Sequence, residues 1–542
     1  MLSQYLNKFP HRYNPSTQQI KLIKKIEYAF NRGHKFVVCS APTGSGKSFI
    51  SKTLANVSND PTDTFKDLIE TYQAFKMDSV GNYINELECL DEPPCGAFAL
   101  TITKSLQDQY LQLFSDSALM KGKSNYTSTL DPNIDVEMET SVMPKKVLED
   151  HRMSHKCPYY NARNAGLLEK FGVLNYKMFL SLPDHVKRKN FIICDEASEL
   201  EDEIVKQYSV FLDPDRLKLL GVKVPNLYAT KQEAVHRWIC SCMVLISEYV
   251  NTLTNRTNNK KIKLSNSENI KLTYLKNLHR SLNLIDDTWE ECEYVVQREG
   301  KTVKVMPLKV NVLSKYIFKH ADNVLLMSAT IIDHKHFAKT LGIDEYEYVE
   351  SDSTFDSKKA PIYINTKQKI NHYNLKKMLP KIVKQVEDIC QEHEFEKGII
   401  HTHTGFIASY LQNHLTSKRF LYRDQETRNE EILEKHSKSK NPTVLVSPSL
   451  GLGIDLRDDL ARFQIIIKAP YLPLGDNRIK KLFEWDKKWY TNKMLSNVVQ
   501  QCGRGIRSKQ DYCTTYILDS SISDAIIRSK KYLPKYFLER FV

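Results

Sequence analysis

The sequence predicts an α/β protein of two parallel-sheet lobes, with a helical insertion in the first. Three observations carry that expectation. Short apolar runs, each followed by a loop and a helical pattern, recur in two separate clusters. A glycine-rich loop, Ala41–Ser48, follows the first of these runs and opens a helical pattern. Between the clusters, apolar residues repeat at helical spacing.

The first cluster contains Lys35–Ser40, Ala97–Thr101, Phe191–Asp195 and Val324–Met327. The second contains Gly398–His401, Thr443–Val446, Phe463–Lys468 and Thr514–Leu518. Such runs, apolar at consecutive positions, suit strands buried on both faces of a sheet. Within 205–290, Ala234, Trp238, Cys242, Leu245, Tyr249 and Leu253 mark one long helix, which a polar stretch at Asn255–Lys263 separates from a second at Asn269–Ile285. Trp238 and Trp289 read as helix-core residues, and the basic run Asn259–Lys263 as a solvated loop. Tyr294–Val296, Glu299-Gly300 and Thr302–Val305 read as a hairpin that returns the chain to the first lobe.

At 542 residues the chain is long enough for about two to four domains. The 78 Lys+Arg against 65 Asp+Glu leave a net charge of +13, which suits a polyanionic partner. The N-terminus lacks an apolar core of signal-peptide length, and no apolar run is long enough to span a bilayer. The 11 cysteines are irregularly spaced, and Cys39 and Cys194 lie inside apolar runs, so reduced thiols are expected and not a disulfide framework. The expected location is the cytoplasm, with the nucleoid, or the host cytoplasm for a phage or viral chain.

The chemistry begins at Thr43-Gly44-Ser45-Gly46-Lys47-Ser48. Glycines let backbone amides turn toward phosphate oxygens, Lys47 can reach the β- and γ-phosphates, and the Ser48 hydroxyl can ligate Mg²⁺. ATP with Mg²⁺ is the expected ligand. Phe191–Ser198 is an apolar strand that delivers Asp195 and Glu196 at its C-terminal end, where ligands of parallel sheets bind. Asp195 then belongs to the Mg²⁺ site, and Glu196 orients and deprotonates the attacking water. Ser328 and Thr330 end a third strand and are expected to couple the carboxylates to the second lobe. In Gln500-Gln501-Cys502-Gly503-Arg504-Gly505-Ile506-Arg507, a helix places Arg504 and Arg507 on one face, from which both can approach a γ-phosphate, with Gln500 beside them. Asp455 follows the strand Thr443–Val446 and can organise the same cleft.

With these pieces in order, the chain resembles superfamily 2 helicases, and among them the XPD/DinG-like family. The similarity also rests on Tyr13-Asn14-Pro15 with Gln19, on Thr101–Gln109, Lys121–Tyr126 and Val173–Tyr176, and on Asp455-Leu456 leading into Ala469–Pro473. The resemblance implies two RecA-like P-loop motor domains. The first occupies 1–118, 168–204 and 306–345, interrupted by a remnant iron–sulfur-type insertion at 119–167 and a helical, arch-like insertion at 205–305; the second occupies 346–542. It implies that Gln19 contacts adenine, that Thr103 and Lys104 touch the nucleic-acid backbone, and that Thr404 does so from the second lobe. It further implies a monomeric, ATP-dependent DNA helicase moving 5′→3′ on single-stranded DNA, acting on forked duplexes with replication or repair proteins. An RNA helicase, a protein-displacing translocase and an ATP-gated clamp with little turnover are the alternatives.

Departures from the family pattern are informative. Thr127 and Ser128 stand where the first cluster cysteine is expected, and Cys157 is the only cysteine between Cys95 and Cys194. One thiolate cannot hold a four-cysteine cluster, so no iron–sulfur cluster is expected. His151, His155 and Cys157 offer three zinc donors at a spacing that matches no zinc motif. Ser198 replaces the usual His of the acidic box, which is expected to weaken coupling but not hydrolysis. Leu452 replaces a common Glu, and His401 and His403 fit the start of the second lobe better than a metal site.

Overall fold

A computed structural model describes residues 3–542 apart from 64–94, 144, 183, 226, 228–230, 261–264, 353–355, 365, 367, 423–428, 449–457 and 506–510. Strands are numbered in chain order. The first lobe is built on β1 (Phe36–Ser40), β2 (Ala97–Thr101), β3 (Ala118–Met120), β4 (Phe171–Asn175) and β5 (Lys189–Asp195). A small antiparallel sheet follows, from β6 (Val210–Leu212), β7 (Tyr294–Glu299) and β8 (Thr302–Pro307), before β9 (Ala321–Ser328) and β10 (Glu347–Glu350) complete the lobe. Its main sheet has the order β10-β1-β9-β5-β2-β4-β3, every pair parallel.

The apolar runs make this sheet because each is buried on both faces. Val37 and Cys39 join a core with Leu22, Ile26, Ile50 and Leu54, whereas Val38, between them, joins a second core with Phe179, Leu200 and Ile204. Alternation along the strand sends neighbours to opposite faces, so one run stabilises two helical layers.

The second lobe holds β11 (Ile362–Ile364), β12 (Gly398–His401), β13 (Phe420–Tyr422), β14 (Val444–Ser447), β15 (Phe463–Ile466) and β16 (Thr514–Ile517). They form one parallel sheet in the order β11-β16-β15-β12-β14-β13.

Three boundaries depart from expectation. β10 pairs with β1 from Val37↔Glu347 to Ser40↔Glu350, so the first sheet reaches residue 350 and not 345. Its sequence, Glu-Tyr-Val-Glu, has the mixed polarity of an edge strand and not of an apolar run. Within 205–305 the first long helix runs from Gln232 to Lys260, into the polar stretch expected to end it at Asn255. The second spans Asn266–Asp287, opened by a capping box between Ser265 and Glu268. Ile239, Ile246, Leu275 and Leu282 of these helices are buried in one core cluster with Trp238 and Trp289. Segment 119–167 contributes β3 and the helices Val136–Val142, Lys145–Met153 and Pro158–Leu168. No helix among the described residues is long and apolar enough to cross a membrane.

Candidate active site

Because β1, β9 and β5 are neighbours, three loops leave the same C-terminal edge of the first sheet. The register sets Ser40 beside Ser328 and Asp195 beside Met327. This is the edge at which parallel sheets bind ligands.

In the loop after β1, Gly44 and Gly46 have φ of +77° and +80°, the left-handed region that glycine enters without penalty. Gly46 caps the helix Lys47–Val57, so the first amides of that helix face the phosphate site. A side chain on Gly46 would also run into the amide of Gln19. That amide is held in place: Gln19 Oε1 accepts from the Ser16 amide at 2.8 Å, and Ser16 Oγ accepts from the Gln19 amide at 3.2 Å. Gln19 is therefore a fixed, buried wall of the phosphate loop.

Lys47 Nζ lies 3.1 Å from Glu196 Oε1, with the side chains only 10% and 17% exposed. Glu196 sits at φ +51°, an unusual place for a non-glycine residue and one that clusters at functional sites. Its other oxygen accepts from Ser328 Oγ at 3.2 Å. Ser328 continues to Ser198 at 3.0 Å and to Thr330 at 3.1 Å, and Thr330 Oγ1 donates to Ser198 Oγ at 2.8 Å. Ser198 is thus a member of a three-hydroxyl network and not a lost partner. Thr330 carries that network to the second lobe, since its carbonyl accepts from Ser496 Oγ at 3.1 Å.

Asp195 is buried, and that burial, opposed by Lys47 and reinforced by Glu196, pushes its carboxyl up to about 6. Tyr110 donates to its Oδ2 at 3.2 Å, the Glu196 amide donates to Oδ1 at 3.0 Å, and Ser51 Oγ lies 3.0 Å from the Tyr110 hydroxyl. A desolvated carboxylate beside a hydroxyl-bearing phosphate loop fits Mg²⁺, which Asp195 and Ser48 would hold. Sequence reasoning missed Tyr110 and Ser51; nothing in the motif Thr101–Gln109 signals that the next residue reaches under the acidic box.

The second lobe meets this site directly. Thr43 Oγ1 donates to the carbonyl of Gly503 at 3.4 Å, which places the end of helix Lys487–Cys502 over the phosphate loop. Gln500 lies in the last turn of that helix. Arg504 does not, because the helix stops at Cys502 with Gly503 as its cap; two glycines at 503 and 505 disfavour another turn. The shared helical face expected for Arg504 and Arg507 is therefore not formed by Arg504. Arg504 is buried, and its charge adds to burial in holding the His401 imidazole down to about 3, with Gln464 opposing. His401 is a neutral neighbour of Arg504. Arg507 and Asp455 lie outside the described residues.

Thr103 and Thr404 share one local structure. Each caps the helix after a strand, accepting at 3.3 Å from the amide of Leu106 or Ile407. Each also has its carbonyl bound by the threonine two residues earlier, Thr101 at 3.4 Å and Thr402 at 3.2 Å. The two lobes present the same capped turn, with Lys104 exposed on the first. Of His151, His155 and Cys157, only His151 and Cys157 come together, and Glu139, not His155, is the third donor. The donor set does not fit a four-thiolate cluster.

Residues 401–539 match the model of the helicase C-terminal domain. No curated protein sequence matches the chain. Among solved structures, an apo XPD superposes with a TM-score of 0.54 at 15% identity, covering 94% of this chain and 97% of its own. An XPD helicase gives 0.54 at 17% identity over 98% and 99%, and Xpd4 of S. tokodaii gives 0.52 at 14% identity over 94% and 97%. The resemblance read from the motifs is borne out: residues 401–539 match the helicase C-terminal domain model, and the chain has the two-lobed fold of the XPD helicases.

Proposed function

We propose that this chain is an ATP-dependent DNA helicase that moves along single-stranded DNA, 5′→3′, in replication, repair or recombination. The observation that carries the reading is the continuity from phosphate loop to second lobe. Lys47 holds Glu196, Glu196 is bound by Ser328, and Ser328 and Thr330 lead to Ser496. In this reading the γ-phosphate takes Lys47, freeing Glu196 to accept a proton from the attacking water. Mg²⁺ on Ser48 and Asp195 would neutralise phosphate charge. Gln500 and Arg504 would act from the second lobe, with Arg507 as a further candidate outside the described residues, so hydrolysis would depend on closure and loss of the γ-phosphate would reopen the cleft. Thr103, Lys104 and Thr404 support a single strand laid across both lobes, where capped helix N-termini favour phosphate.

The test is ATP hydrolysis by the full chain alone and with single-stranded DNA, single-stranded RNA or duplex DNA, with Lys47→Ala as control. Stimulation by single-stranded DNA that is lost in the variant supports the reading, and 5′- and 3′-tailed duplexes then give the polarity. Preference for RNA replaces DNA by RNA as substrate. Absence of hydrolysis with every substrate overturns the motor and leaves an ATP-gated clamp.

A further inference from the structure

Away from the nucleotide site, three buried side chains of segment 119–167 converge without satisfying one another. Glu139 comes from the helix Val136–Val142, His151 from the last turn of Lys145–Met153, and Cys157 caps Pro158–Leu168. Their exposures are 2%, 5% and 1%, and their donor atoms all lie within 4.8 Å of one another. Glu139 Oε2 and His151 Nδ1 have no hydrogen-bond partner, although buried polar atoms nearly always do.

The surroundings determine which form His151 takes. Thr129 Oγ1 donates to the Lys156 carbonyl at 3.0 Å, so its single proton is used there. Its lone pair then accepts from His151 Nε2, 2.6 Å away. His151 Nδ1 lies 3.5 Å from Glu139 Oε1, an ion-pair contact too long for a hydrogen bond. Nδ1 and the second carboxylate oxygen stay unsatisfied in a dry site, beside a thiol. A cation placed among them satisfies both, and a hydrogen bond from the far ring nitrogen is the usual support of a metal-bound histidine.

We propose that Glu139, His151 and Cys157 bind a zinc ion. A thiolate, an imidazole and a carboxylate form a typical zinc donor set, and their combined charge balances Zn²⁺. Tetrahedral bonds of about 2.0–2.3 Å require donor atoms about 3.3–3.8 Å apart, so binding draws the three elements together by about 1 Å. Lys123, Arg152 and Arg163 surround the site and are held against the Tyr159 and Tyr160 rings. Among the described residues no fourth histidine, cysteine or carboxylate shares the cluster, which leaves one position for water. Structural need points the same way. Among the side chains described on helix Lys145–Met153, Leu148 is the one buried apolar residue, so packing alone anchors that helix weakly.

A second trio sharpens the distinction. His236, Cys240 and Asp286 are equally close, but His236 Nε2 lies 2.6 Å from Asp286 Oδ1, and Cys240 Sγ donates to that oxygen at 3.4 Å. That trio satisfies itself and needs no ion.

The full chain, purified without chelators, is expected to carry about one zinc per molecule by elemental analysis. Cys157→Ser and His151→Ala are each expected to lose it while retaining ATP binding. After removal of the metal, Co²⁺ is expected to give the intense visible bands of tetrahedral coordination together with a thiolate-to-cobalt charge-transfer band. Zinc at trace level, with no thiolate band on Co²⁺ titration of the wild-type chain, overturns the proposal. So does undiminished zinc in Cys157→Ser, or stoichiometric iron with sulfide. If the variants fail to fold, the cobalt spectrum of the wild-type chain still decides.

Discussion

Glu196 carries two demands that only its position reconciles. In the proposed motor it would hold Lys47 when no phosphate is present and release it when one is; its left-handed backbone aims the carboxylate across the loop. Replacing Glu196 by Gln keeps the shape and removes the proposed base. Turnover should fall by about 10²–10⁴ while ATP still binds, as single-turnover hydrolysis and nucleotide-binding measurements would show. Unchanged turnover would remove Glu196 from its assigned role. Ser198→Ala addresses the hydroxyl network instead. It deletes contacts to Ser328 and Thr330 without touching Lys47 or Asp195. Each lost hydrogen bond is worth about 1 kcal/mol, so basal hydrolysis should survive. The ATP consumed per base pair unwound should rise, and an unchanged ratio would show that the network does not transmit.

At the scale of the element, the caps are the parts most open to measurement. Thr103 and Thr404 satisfy the first turns of Lys104–Leu113 and Gly405–His414. Thr103→Val should cost about 1 kcal/mol in denaturant unfolding, and Thr103→Ser should restore it, because only the side-chain oxygen is required. Gly46→Ala acts through backbone geometry: the left-handed φ and the collision with Gln19 both oppose it. ATP affinity should fall, and the loss should be smaller when Gln19→Ala is combined with it. The phosphate-loop glycine was legible in the sequence because its cause is local, whereas Thr103 and Thr404 were read as nucleic-acid contacts and their capping role came from the structure. The edge strands β3, β10, β11 and β13 were not legible, because three or four residues are too few to show a period and become strands only when a partner strand supplies the ladder.

At the scale of the molecule, a buried charge cluster holds the lobes together. Arg478 of the second lobe donates to Glu201 of the first at 2.8 Å and to the carbonyls of Pro307 and Leu308 at 2.9 and 3.2 Å. Trp489 Nε1 donates to the other Glu201 oxygen at 2.8 Å, and Lys493 reaches Glu201 at 3.3 Å and Asp202 at 2.9 Å. Burial alone would raise the Glu201 carboxyl; Lys493, Arg478 and Trp489 overcome it and lower it from 4.5 to about 2. A depressed carboxyl contributes stability that is fully present above its unfolded value and is lost as pH falls through its folded one. Thermal stability should therefore decline between about pH 4.5 and pH 2 through this group, and Glu201→Gln should flatten that part of the profile. At neutral pH the same substitution leaves Arg478 and Lys493 without their shared partner, a loss of about 3–5 kcal/mol. A stability profile identical to that of the wild type would remove Glu201 from the interface energetics.

The sequence by itself determined the chemistry that is contiguous in the chain: the phosphate loop, the acidic pair at the end of β5 and the hydroxyls at the end of β9. Each rests on a strand or helix and the few residues adjoining it, so local pattern suffices. Tertiary structure alone decided what those residues meet. Register between β1, β9 and β5 joined Glu196 to Ser328, helix packing brought Tyr110 beneath Asp195, and the lobe interface set Gly503 against Thr43. It also replaced His155 by Glu139 beside His151 and Cys157. Contacts between residues far apart in the chain depend on which surfaces pack, and no spacing in the sequence encodes that.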